Sequence, residues 1–307
     1  MTIRFTKMHG LGNDYLFIDA MREEIAEPAR LARLLSDRHR GVGSDGLILI
    51  LPPEGTQAQA RMQMFNADGS EGEMCGNGIR CVGKFLLDRA MVASNPLRIE
   101  TAAGERMLEC FSAADGTVDE VTVSMGEPAL AAKDIPATLD GVAPDDAVIA
   151  HPIDLHAFGF DQDSMDRGGI EAVISLVSMG NPHAIIYCED PEAVDLARAG
   201  SFIEHHHAFP QRINVHLVGV DSDKAIRMRS WERGSGLTQA CGTGACAACV
   251  AGVLSQRHGA TVTAQLPGGQ LALTWAGMGH NVLMRGPAVE VFQAEVRLEE
   301  LLGAAAS

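Results

Sequence analysis

The chain has 307 residues, 46% of them apolar, and a formal net charge of −16, enough for two domains of ordinary size with packed cores. Acidity without a basic block repels phosphate backbones and anionic bilayers, which argues against nucleic acid and membranes as partners. Seven cysteines are an odd number, and the opening MTIRFTKMHGLGND lacks the apolar stretch of a secretion signal, so reduced thiols in a cytoplasmic protein are expected.

A short strand is predicted over Ile3 to Thr6, then a glycine-rich turn from Lys7 to Asp14 and a β-like run from Tyr15 to Asp19. Leu31 to Arg38 has helical periodicity, GVGSDG (41–46) is a turn, and Leu47 to Leu51 is a buried strand. Arg61 to Phe65 alternates as a half-buried strand and runs into the dense turn signal Asn66 to Ser70. The spacing predicts a helix over Gly78 to Met91, with Ile79, Val82, Gly83 and Leu86 on one stripe and Arg80, Lys84 and Asp88 on another. Strands follow at Leu97 to Thr101, Arg106 to Phe111 and Val118 to Ser124. Residues 126–168, rich in Pro, Asp and Ala with weak periodicity, suggest an inter-domain passage carrying a surface insertion. Strands resume at Ile174 to Ser178, Ala184 to Cys188, Ile213 to Val220 and Ala225 to Trp231. Cys241 to Leu254 is a helix of small residues, apolar on every side, and should be buried and central.

The two halves echo each other. In the first, a strand and a polar turn lead to Cys75-Gly-Asn-Gly opening a helix; in the second, a strand and the turn Glu232 to Gly236 lead to Cys241-Gly-Thr-Gly opening a helix. A pseudo-symmetric pair of domains would then bring one thiol from each half to a shared site. A helix N-terminus favours an anion, and a thiol there can have its pKa lowered towards working pH and serve as a base. The glycines let backbone N–H groups approach a carboxylate. Two such elements suit removal of a proton from one face of a stereocentre and delivery to the other, which is racemisation or epimerisation without a cofactor. The bound carboxylate would stabilise the enolate-like charge that develops.

The blocks KMHGLGNDYLFID, GVGSDGLILI, FNADGSEGEMCGNGIRC, SMGNPHAIIY, FPQRINVHLV, WERGSGLTQACGTGACA and GPAVEVF together resemble the diaminopimelate epimerase family, in the family's order and over nearly the whole chain. The resemblance implies an α/β (α+β) chain of two pseudo-symmetric domains, each a curved, mostly antiparallel sheet wrapped around a central helix. These would be residues 1–125 plus 287–307, holding Cys75, and 126–286, holding Cys241. It further implies a small-molecule substrate, diaminopimelate, no cofactor and no metal, a homodimer, and a place in lysine and peptidoglycan precursor synthesis. In the direction from LL- to meso-diaminopimelate, Cys241 matches the proton acceptor and Cys75 the proton donor. Gly76, Asn77, Gly242 and Thr243 fall where the family binds the reacting carboxylate; Asn13, Asn66, Asn181, Asn214 and Arg233 match the set that holds mainly the distal end. His183 and Glu232 match residues that tune the thiols and orient the amino group, Glu232 also touching substrate. A distal zwitterion needs a guanidinium and side-chain amides, which Arg233 and the asparagines supply.

The chain departs from the family at Ser44-Asp45-Gly46, where Phe-Asp-Gln is frequent, and at Leu237, where glutamate is common. Residues around 130–168 are longer than typical. A related two-cysteine racemase for another amino acid, such as a histidine or proline type, is the enzymatic alternative; an amino-acid-binding protein on the same fold is the non-catalytic one. GVGSDG is followed by a strand rather than the helix a dinucleotide site requires. Cys246-Ala-Ala-Cys249 sits inside an alanine-rich helix and suits packing, and His205-His206-His207 suits a solvated loop.

Overall fold

The computed structural model describes residues 2–22, 25–55 and 57–299. Its elements are β1 (Thr2–Gly10), β2 (Asn13–Asp19), α1 (Pro28–Ser36), β3 (Gly46–Leu51), β4 (Ala60–Asn66), β5 (Glu71–Gly72), α2 (Gly76–Asp88), β6 (Leu97–Glu100), β7 (Arg106–Ser112) and β8 (Val118–Ser124). There follow β9 (His151–Pro152), α3 (Gln162–Gly168), β10 (Ile170–Ser178), β11 (Pro182–Cys188), α4 (Leu196–Glu204), β12 (Asn214–Ser222), β13 (Ala225–Glu232) and β14 (Gly236–Thr238). The last are α5 (Gly242–Leu254), β15 (Thr261–Leu266), β16 (Gly269–Thr274), β17 (Leu283–Pro287) and β18 (Val289–Arg297). The chain forms two compact units, 1–123 with 285–307, and 124–284. Of the C-terminal segment 287–307, residues 300–307 lie outside the described residues.

The ladders of the two units repeat. In the first, β1–β2 is antiparallel, β2–β3 parallel, β3–β4 antiparallel, β4–β6 parallel and β6–β7 antiparallel. In the second, β10–β11 is antiparallel, β11–β12 parallel, β12–β13 antiparallel, β13–β15 parallel and β15–β16 antiparallel. Each unit crosses over twice: through α1 or α4 between the first parallel pair, and through α2 or α5 between the second. The echo between the two Cys-Gly-X-Gly stretches is thus a repeat of whole topology, the architecture expected from the sequence.

The crossover helices have different surroundings. α1 packs on β3 and β4, and α4 on β12, β13 and β14. α2 meets the paired β1 and β2 and also β7 at the other end of the ladder, and α5 meets β10, β11, β12, β15 and β16. Each sheet therefore curls around its second helix. Every residue of α2 from Gly76 to Leu86 is buried, and ten residues of α5 are, including Cys246 and Cys249, which are packing groups. The small side chains of α5 permit that close approach. On α2, a Cβ at Gly78 would lie 2.6 Å from Ile48 Cδ1. Among the described residues no helix is long and apolar enough to cross a membrane.

Two local expectations are corrected. The stretch Lys7 to Asp14 is not a turn: β1 runs to Gly10, β2 starts at Asn13, and Gly10 pairs with Asn13 across a two-residue loop. Leu11 and Gly12 take φ of 59° and 82°, the left-handed pair that a tight hairpin needs. The glycines drew attention to the loop, but only Gly12 sits in it. Residues 126–168 are not a surface insertion either. Ala132, Ile135, Val148, Phe158 and Phe160 belong to one apolar cluster with Ile174 and Ile186 of the sheet and Leu196 and Ile203 of α4. Scattered aromatic and aliphatic anchors in an irregular backbone leave no period to detect. Asp161 caps α3 by accepting from Ser164 N, and His206 of the histidine loop stacks on Phe158 at 4.5 Å.

Phe160→Ala is expected to destabilise the protein by about 3–5 kcal/mol, the cost of a buried aromatic truncation. Urea unfolding followed by circular dichroism measures it, and a loss within ~0.5 kcal/mol, as for exposed positions, would place the segment outside the core.

Candidate active site

In the first unit, Cys75 is the N-cap of α2, and its Sγ accepts from Gly78 N at 3.4 Å. It donates to Asn13 Oδ1 at 3.2 Å, an oxygen that also accepts from Asn77 Nδ2 at 3.4 Å. The orientation of Asn13 is set by Nδ2, which donates to Asp45 Oδ2 at 2.8 Å. The tight β1–β2 loop thus delivers Asn13 to the thiol. Tyr15 hydrogen-bonds both Cys75 and Asn13, and burial, then the neighbouring Cys75, pushes its phenol well above the ordinary range. Asn66 ends β4 and donates to Ser70 Oγ at 3.0 Å.

Beneath Gly76 and Asn77 lies Arg80, fully buried. Its guanidinium donates to Gly76 O at 3.1 Å, to Asn77 Oδ1 at 2.9 Å and to Pro287 O at 3.1 Å. It therefore fixes the first turn of α2 and adds positive charge behind the helix start, where an anion would bind. A Cβ at Gly46 would stand 2.2 Å from Phe65 O and 2.9 Å from a Tyr15 ring carbon. With this backbone, no side chain can take the place of the family's glutamine.

In the second unit, Cys241 is the N-cap of α5 and lies 3.7 Å from Thr243 Oγ1. The thiol does not have the lowered pKa expected of a helix N-terminus. Burial pushes it well above its ordinary value, and the Glu232 carboxylate, hydrogen-bonded to it, pushes the same way. Thr243 and the Gly244 amide oppose the shift without overcoming it. The helix end stabilises a thiolate, but desolvation and a like charge outweigh it.

The surroundings of Cys241 come from three adjacent strands. His183 on β11 is in register with Asn214 on β12, and His216 is in register with Ser230 on β13. His183 Nε2 lies 2.9 Å from Asn181 Oδ1 and Nδ1 2.9 Å from His216 Nε2, and His216 Nδ1 is 2.9 Å from Ser230 Oγ. Asn214 spends both ends of its amide on backbone, donating to Pro182 O at 2.7 Å and accepting from Arg233 N at 2.9 Å. Its effect is thus to hold Arg233, which donates to Gln211 O at 3.0 Å. Below the Glu232–Gly236 turn, buried Glu204 accepts from Trp231 Nε1 at 2.7 Å and Gly234 N at 3.0 Å.

Of the residues singled out in the sequence, the first unit brings together Cys75, Asn13, Gly76 and Asn77 and leaves Asn66 on Ser70 at the end of β4; Cys241, Gly242, Thr243, His183, Asn181, Asn214, Glu232 and Arg233 gather in the second. Sequence reasoning missed Tyr15, Asp45, Arg80, Glu204, His216 and Ser230. The one available signal was a polar residue at alternate strand positions, as at Asn214 and His216. Ligand atoms of His183, His216 and Cys241 lie within 4.8 Å of one another, the composition of a soft-metal site. However, His183 Nδ1 and His216 Nε2 are 2.9 Å apart and share a hydrogen bond, so these two nitrogens are spent on each other.

Burial, then the charges of His216 and Arg233, holds His183 well below the usual imidazole range, and burial takes His216 down to about 3. Both are neutral when folded and gain protons on unfolding below the ordinary histidine pKa of about 6.5. The stability they contribute is complete above that pH and drains as pH falls, towards about 3 for His216. Urea unfolding between pH 7 and 5 should lose up to ~1.4 kcal/mol per pH unit for each histidine, and His216→Gln should give the shallower slope. For Cys241, removing the like charge in Glu232→Gln should speed its iodoacetamide alkylation at pH 7.5, measured by peptide mass spectrometry; an unchanged rate would discount the carboxylate's effect.

A family model described as diaminopimelate epimerase matches residues 5–131 and 175–291. A diaminopimelate epimerase from Acetivibrio thermocellus is 45% identical, aligned over 97% of this chain and 100% of its own. One from Azotobacter vinelandii is 41% identical over 97% and 100%. Among solved structures, a phenazine biosynthesis PhzF-family protein from Bacillus anthracis superposes with a TM-score of 0.68 at 17% identity, over 97% of this chain and 100% of its own. A hydroxyproline epimerase from Agrobacterium vitis gives 0.65 at 17% identity, over 99% and 94%.

Proposed function

The chain belongs to the diaminopimelate epimerase family, and from that premise we propose that it interconverts LL- and meso-diaminopimelate by proton transfer at one Cα. Cys241 accepts the Cα proton in the LL to meso direction and Cys75 donates one, with the roles exchanged in reverse. The observation that carries this reading is the repeated ladder: each thiol caps the same buried crossover helix of its unit.

The raised pKa of Cys241 sets a requirement on the substrate. A resting thiol cannot take a proton, so binding must favour the thiolate. The α-ammonium of the amino acid does this when it lies beside Glu232, because a cation there cancels the like charge that holds the thiol protonated. As the Cα proton leaves, charge builds on the carboxylate, which Gly76 and Asn77 of α2 and Gly242 and Thr243 of α5 receive at the positive ends of their helices. Arg80 reinforces the first of these. Asn13 orients Cys75 and Asn77, His183 sits beside Cys241, and Asn66, Asn181 and Arg233, the last held by Asn214, take the distal amino-acid end.

The reaction needs no electron sink beyond these dipoles, so no cofactor or metal is assigned, and a place in lysine and peptidoglycan precursor synthesis follows from the product. No disulfide joins the cysteines among the described residues, which suits a reducing cytoplasm. Val289, Val291 and Phe292 are each exposed on β18, apolar side chains that suit a homodimer.

In heavy water with LL-diaminopimelate and reductant, deuterium should enter one Cα, followed by proton NMR. Cys75→Ala and Cys241→Ala should each lower turnover at least ~10²–10⁴-fold, the range for general acid–base groups, with unchanged circular dichroism. Full turnover in either variant sinks the two-thiol mechanism; exchange with another amino acid alone makes the protein a racemase of that substrate, and no exchange with any makes it a binder.

A further inference from the structure

The polar chain behind Cys241 has a direction. Each neutral imidazole has one N–H and one acceptor nitrogen. Asn181 Oδ1 can only accept, so His183 carries its proton on Nε2 and presents Nδ1 as an acceptor. The nitrogen facing it, His216 Nε2, must then donate, and His216 Nδ1 accepts from the Ser230 hydroxyl. Protons run one way, Ser230 to His216 to His183 to Asn181, along rings that are fully buried.

His216 is also wedged against the thiol's helix. A Cβ at Gly244 would fall 2.2 Å from its Cε1, so the ring lies directly on the first turn of α5, the turn that Cys241 caps. One ring nitrogen of each histidine lies within 4.8 Å of Cys241 Sγ. Among the described residues, the charged groups that act on them are Arg233, on His183, and Glu232, on Cys241.

We propose that His216, backed by Ser230, is a positioning residue that holds His183 in the Nε2–H tautomer Asn181 selects, by occupying Nδ1, and so prevents an imidazolium from forming beside the Cys241 sulfur. A protonated His183 at that distance would draw the thiol into a thiolate–imidazolium pair, the arrangement that makes cysteines reactive without substrate. By donating into His183 Nδ1, His216 occupies the one site where such a proton could add. Cys241 then stays a thiol until an ammonium arrives. This rests on the reading of Cys241 as a base, but its test needs no turnover, so the deuterium experiment can fail independently of it.

The variants are His216→Leu, which removes the donor; His216→Gln, whose side-chain amide can still donate; and Ser230→Ala, which removes the donor to His216. The readouts are the pH dependence of Cys241 alkylation by iodoacetamide, resolved by peptide mass spectrometry, and the His183 tautomer from nitrogen-15 NMR of the ligand-free protein. Expected are Nε2–H on His183 in the parent and, at pH 6–7, alkylation of Cys241 about tenfold or more faster in His216→Leu, with His216→Gln restoring the parent profile. If His216→Leu does not fold, Ser230→Ala decides, with a smaller shift in the same direction. A parent His183 carrying its proton on Nδ1, or a profile unmoved in His216→Leu and Ser230→Ala, overturns the proposal.

Discussion

The fold turns on one demand: a helix enclosed on nearly every side must still begin at a place where chemistry can happen. α2 and α5 meet strands from separated positions of a curled sheet, which closes over nearly their whole length, first turns included. Both are capped by a cysteine followed by glycine. Burial locks the helix axis, the axis fixes the cap, and the cap aims the sulfur. A surface helix would fray by a turn at low cost; one inside its sheet cannot.

Burial has an electrostatic consequence as well. The dipole at the head of α5 favours a thiolate, yet dehydration and Glu232 overrule it. The histidines are likewise neutral because they are buried and face each other. The second unit therefore keeps its reactive groups uncharged, and the Glu232 carboxylate beside Cys241 is of the sign that attracts an amine. In the first unit the balance differs: Arg80, wholly interior, puts a cation under the start of α2.

Much of this was legible in the sequence because it rests on short-range patterns. The Cys-Gly-X-Gly pairs, the all-apolar stretch of α5 and the polar turns before both helices are local, and they revealed the repeat and its thiols. What escaped depends on tertiary pairing. Arg80 looked like one member of a polar stripe, since nothing local says that a sheet will close over it. His216 and Ser230 lie on different strands and acquire meaning only through register. Phe158 and Phe160 are core residues in a backbone without period, and the helix-end rule for Cys241 failed because a sequence does not display desolvation.

The Asn214 amide has a mechanical consequence. It ties the start of β11 at Pro182 to the turn after β13 at Arg233, while Glu204 anchors that turn from α4 through Trp231 and Gly234. The three segments make a closed truss with no independent joint. Force applied to Arg233 by a ligand is shared at once by the strand that carries His183. Any drift in one member must be matched by the others, so these positions should vary together or not at all.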